Sequence, residues 1–191
     1  SLALLSEVKT TEHNGLEIRI AVKPGDIRLF LEAAQRVYSV FKVRPTIKGA
    51  TLTFDQRKPL VEAESFTILD NSSVGTNRIN VIMGQVSYTV EVHKVNVQLG
   101  YYTLLNLNMP IGSCSISASR EEIHYDAKTL ANVNKAAKAA MEHARKFLTE
   151  SVKTEQTVLG RLRSLAKYRN VVPNLTVAGI EYISGSEKDK Y

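Results

Sequence analysis

The chain is poor in the residues from which most enzyme centres are built. Cys114 is the only cysteine among 191 residues, so an intrachain disulfide and a cysteine-based metal cluster are both excluded, and a reducing compartment fits. The four histidines, His13, His93, His124 and His143, show no His-x3-His or related ligand spacing, which argues against a metal centre. Glycines are scattered singly. There is no Gly-x4-Gly-Lys-Ser/Thr phosphate loop, no glycine-rich dinucleotide turn and no Gly-x-Ser-x-Gly elbow. No apolar run approaches the roughly 18–20 residues of a membrane span. The first residues also lack the basic start and apolar core of a signal peptide, and 1–15 read as an internal segment, either a linker or the end of a preceding domain.

What is present can build a domain. The chain is 43% hydrophobic, enough for a real core, and its net charge is +6. That mild basic excess is compatible with nucleic acid, an anionic membrane or an acidic partner, and selects none of them.

Period-two alternation predicts strands over 16–22, 50–54, 65–70, 77–83 and 86–92, with Gly84 making a tight connection between the last two. Helical spacing of Ile27, Phe30, Leu31, Ala34, Val37, Tyr38 and Phe41, after the break at Pro24-Gly25-Asp26, predicts an amphipathic helix. A longer helix follows from the stripe Leu130, Val133, Ala137, Met141, Ala144 and Leu148. A second basic helix is expected over 155–170, stopped by Pro173, then a late strand and a polar tail within 173–191. The order argues for an α+β or mixed α/β two-layer sandwich, with the main domain over 16–172.

Residues 108–129, NMPIGSCSISASREEIHYDAKT, carry the most chemistry. An apolar strand is expected to run into Ser119-Arg120-Glu121 just before the long helix. An arginine fixed at such a junction keeps a free guanidinium, suited to bidentate recognition of phosphate or carboxylate. The alternative is a structural pin, with Arg120 paired to Glu121, Glu122 or Asp126. Asp126 is placed to cap the helix, Cys114 to pack, and His124 to be a polar helix-start residue rather than an acid–base group. The cations Lys135, Lys138, Arg145, Lys146, Arg161, Arg163 and Lys167 form a basic helical surface. Such a surface could bind phosphates, although Tyr101, Tyr102 and Tyr168 make no stacking platform.

The Ser119-Arg120-Glu121 motif, the preceding NMPIGSCSISA and the following helix resemble the middle domain of the ninety-kilodalton heat-shock chaperones. Met109-Pro110-Ile111-Gly112 stands where that family has Leu-Pro-Leu-Asn, with a longer spacer before Ser119. HNGLEIRIAVKPGDIRLFLEAA (13–34) looks like the exit from a GHKL-type ATPase domain, and with IMGQVSYTV (82–90) is similar to the rIIA-type proteins of T-even-like phages.

The resemblance implies a transducer-like domain with a left-handed βαβ crossover. It implies that Arg120 contacts the γ-phosphate of ATP, with Ser119 shaping the junction and Glu121 orienting the arginine. ATP and Mg would be held by a preceding domain, since the Glu-x3-Asn helix and Asp-x-Gly-x-Gly loop of a GHKL pocket are missing. It further implies the host cytoplasm or the inner membrane's surface, a rIIB-type partner, a homo-oligomer, and protection against prophage-triggered early lysis. The competing class is a non-catalytic basic module that binds a partner protein, an anionic membrane or DNA.

Overall fold

The computed structural model describes Thr11, residues 15–54 and 57–168, Val172, and the backbone of 176–177 and 180–181. The fold is α+β: a five-stranded mixed sheet with one helix before it and two after it.

Helix α1, Ile27–Tyr38, follows a 3-10 turn at Pro24–Asp26, where proline's fixed φ suits a helix start. The sheet is built from β1 (Val61–Ala63), β2 (Phe66–Asp70), β3 (Arg78–Met83), β4 (Val86–Val90) and β5 (Thr103–Met109), in the order β1-β2-β5-β3-β4. β1 and β2, β2 and β5, and β3 and β4 pair antiparallel, whereas β3 and β5 run parallel. Met83 pairs with Val86, so Gly84 and Gln85 close a tight hairpin, and Gly84 takes the φ of +65° that such a turn favours.

Alternation sorts the sheet into two faces. Phe66, Ile68, Ile79, Val81, Tyr88, Val90, Leu105 and Leu107 are buried on one of them. Helix α2, Ala127–Thr154, lies against that face and buries Val133, Ala137, Ala140, Met141, Ala144, Leu148 and Val152. The other face is wetter: Asn80 Nδ2 donates to Asn106 Oδ1 at 3.0 Å, and the Thr89 hydroxyl donates to Asn80 Oδ1 at 3.3 Å. Helix α3, Val158–Tyr168, packs on α2 and adds Leu165 to the core. Strands β6 (Thr176–Val177) and β7 (Ile180–Glu181) pair antiparallel as a second, two-stranded sheet.

Three expectations change. Residues 16–22 and 50–54 form no strand, because no neighbour among the described residues supplies a ladder for their backbone. The strand expected to run into Ser119 stops at Met109, since Pro110 follows it and cannot donate to a ladder. Helix α1 forms where it is expected, with none of its residues buried. The parallel pair β3 and β5 is joined through β4 and a 3-10 turn at Val92–Lys94, not through an α-helix, so no βαβ unit links it. Pro173 and the polar tail lie outside the described residues.

Candidate functional site

The segment between β5 and α2 is built as two turns fastened to the helix. In the first, the Ser113 N–H and hydroxyl both donate to the Pro110 carbonyl, at 3.1 and 2.7 Å, and Gly112 takes φ +83°. Two α2 side chains hold this turn. Lys128 Nζ donates to the Gly112 carbonyl at 3.3 Å, and Asn132 Nδ2 to the Ser113 carbonyl at 2.7 Å. Cys114 is buried behind it, and burial pushes its thiol above the ordinary range, leaving a packing residue rather than a nucleophile.

Asp126 is the N-cap of α2 and accepts the Thr129 N–H at 2.7 Å. It also accepts the Ser115 hydroxyl at 2.6 Å, while the Ser115 N–H donates to Thr129 Oγ1 at 2.8 Å. The Ser115 hydroxyl, followed by the Thr129 donors, holds the Asp126 carboxyl down at about 2. The carboxylate therefore stays charged at neutral pH as a cap, not as an acid–base group.

The second turn carries the arginine. Ile116 and Ile123 form an isolated antiparallel bridge. Inside it the Ser117 N–H donates to the Glu122 carbonyl at 2.8 Å, and the Arg120 N–H to the Ser117 carbonyl at 2.9 Å. The Ser117 and Ser119 hydroxyls bond each other at 2.9 Å within this turn. Arg120 itself sits in the left-handed region, at φ 61°, with its side chain exposed. Non-glycine residues enter that region at a cost.

Among the described residues Arg120 makes no ion pair, whether with Glu121, Glu122 or Asp126. The pin therefore does not form. Glu121 is exposed and has no ion pair among the described residues. His124 is exposed and contributes its N–H to the Ser115 carbonyl at 2.9 Å.

The basic surface divides. Lys135, Lys138, Arg145 and Arg163 are exposed with no ion-pair partner among the described residues. Lys146 pairs with Glu142 at 3.1 Å, and Arg161 Nε donates to the Glu155 carbonyl at 2.9 Å. The Lys167 side chain lies outside the described residues.

Reading the sequence missed a groove of about 350 Å³ between the end of β5 and α2, lined by Met109, Pro110, Ser113, Asn132, Lys135 and Ala136 among others. Only its helix wall carries a signal in the sequence, where Asn132, Lys135, Ala136 and Ala139 follow one another at helical spacing; the facing wall at Pro110 comes from a separate element. Among the described residues no cluster of His, Cys, Asp or Glu could hold a metal ion, and no helix is long and apolar enough to cross a membrane.

Fold and site together define an α+β domain that presents one unpaired arginine on a strained, exposed turn ahead of a long capped helix. No family model matches the chain, and neither the curated proteins nor the solved structures contain a match.

Proposed function

We propose that this chain is the middle, transducer-like unit of a rIIA-type GHKL ATPase protein, in which Arg120 meets the γ-phosphate of ATP held by a preceding nucleotide-binding domain. The observation that carries the reading is Arg120: left-handed backbone, exposed side chain, no ion pair. Strain kept at an exposed cation is a mark of a functional turn. A guanidinium fixed at its base and free at its tip loses little freedom on meeting a phosphate. It can contribute several kcal/mol where charge develops in phosphoryl transfer.

The described residues offer no cradle for a nucleotide, so ATP and Mg would belong to the preceding domain. Docking of the two units would complete the site and couple nucleotide state to conformation. The setting that goes with this reading is the host cytoplasm or the inner face of its membrane, with a rIIB-type partner, in protection against prophage-triggered early lysis.

The test is ATP turnover of a polypeptide in which the nucleotide-binding domain precedes this chain. Arg120→Ala is expected to lower turnover tenfold or more, about 1.4 kcal/mol of barrier, with ATP affinity unchanged. Equal turnover would overturn the reading. The unpaired Lys135, Lys138 and Arg145 on α2 favour the second reading, a non-catalytic basic module for a partner protein, anionic membrane or DNA. Salt-sensitive retention that ignores Arg120 would select it.

A further inference from the structure

Residues 16–20 read Leu-Glu-Ile-Arg-Ile, a segment whose hydropathy is symmetric about Ile18 and whose charges, Glu17 and Arg19, are opposite in sign at symmetric positions. The backbone there is irregular, and none of its N–H or C=O groups has a partner among the described residues. Leu16, Ile18 and Ile20 are 87, 73 and 65% exposed. Three large apolar side chains at period two, on an unpaired backbone, make an open template for β pairing.

We infer that this segment pairs antiparallel with the same segment of a second copy of the chain, about a two-fold axis through Ile18. The register follows from the residues. With Ile18 opposite the partner's Ile18, Leu16 faces the partner's Ile20, and Glu17 faces the partner's Arg19. The two-fold repeats each pair, so both charge pairs are satisfied by one interface, as an isologous contact requires. Glu17 and Arg19 lie on one face of the ribbon and the three apolar side chains on the other. A one-residue shift breaks the charge pairing and turns the apolar sets to opposite faces, so the register is specified.

A two-stranded ribbon alone is marginal and needs a second layer. Helix α1 would supply one from its own unburied side chains, because Ile27, Leu29, Phe30 and Val37 are all exposed large hydrophobics. In the single chain Glu17 is held by Lys48 at 2.9 Å and Arg19 at 2.6 Å, and the lysine first, then the arginine, keeps its carboxyl below the ordinary range. These are exposed pairs of the kind that exchange readily for cross-strand ones. A second copy is favoured over an unrelated strand because the segment is complementary to itself.

Sedimentation equilibrium of the 191-residue chain is expected to show a reversible monomer–dimer equilibrium. Glu17→Arg and Arg19→Glu each set like charges opposite one another at both cross-strand positions, and each is expected to weaken dimerisation about tenfold or more. Mixed in equal amounts, the two variants are expected to recover the wild-type affinity as a heterodimer, because each supplies the charge that the other lacks. Both positions are exposed, and matched urea midpoints check that folding is intact. The inference is overturned by a chain that stays monomeric at about 100 µM, by a dimer indifferent to either substitution, or by a mixture that associates no better than its components.

Discussion

Among the described residues, two that are not glycine occupy the left-handed region, Tyr102 at φ 57° and Arg120 at φ 61°, and their surroundings differ. The Tyr102 carbonyl accepts the N–H of buried Asn71 at 2.6 Å, tying the end of β2 to the start of β5. Its conformation serves the sheet. Arg120 has a single turn bond from its N–H to the Ser117 carbonyl and no side-chain partner. The turn therefore needs the backbone shape at 120 and gains nothing visible from the guanidinium. Arg120→Gly removes the left-handed penalty and is expected to leave stability unchanged or raise it by up to about 1 kcal/mol, measured by urea unfolding. Arg120→Ala keeps the penalty and should match the wild type. A clear loss of stability in the glycine variant would show that the side chain holds the turn, and would weaken the case for a free phosphate contact.

The long helix decides the fold at the scale of elements. Its buried stripe alternates large residues with small ones, and Ala137, Ala140 and Ala144 let the helix axis sit close to the sheet. Ala137→Leu is expected to destabilise the protein by about 1–3 kcal/mol through overpacking, while Ala131→Leu on the exposed side should change little. Thermal unfolding of the pair reads the contrast. This helix was legible because its stripe persists for many turns, and Asp126 marked its start. Strands β2, β3 and β4 were legible for the corresponding reason, an alternating apolar set bounded by turn residues. Residues 16–22 and 50–54 alternate equally well and still form no strand, because periodicity reports a face that wants burial and says nothing about a partner. β1 was missed: three residues, Val61–Ala63, are too few to show a period. The parallel pairing of β3 with β5 depends on contacts distant in sequence, which local patterns do not carry. At the candidate site, Arg120 and the Asp126 cap were readable from residue types. The groove was not, since its walls come together only when α2 docks beside Pro110.

Taken as a whole, the molecule is stabilised from residue 61 onward. Every buried hydrophobic residue among those described lies between Val61 and Val172. The preceding segment is held by local contacts instead: Gln35 Nε2 donating to the Thr53 carbonyl, Arg44 3.9 Å above the Phe54 ring, and Tyr38 edge-on to Phe41 at 5.1 Å. Such contacts are worth little beside a buried core, so the two parts should open with very different free energies. Hydrogen exchange on the dilute chain is expected to leave amides 16–20 within roughly tenfold of unstructured rates, while those of β3 and β5 slow by roughly a thousandfold or more. Raising the concentration should then protect 16–20 selectively, because pairing of two copies gives those N–H groups their first acceptors. Glu17→Arg should abolish that gain and leave β3 and β5 untouched. Protection of 16–20 already present in the dilute monomer would mean that the segment finds its ladder within one chain, and the exposed alternation would then belong to the fold rather than to an interface.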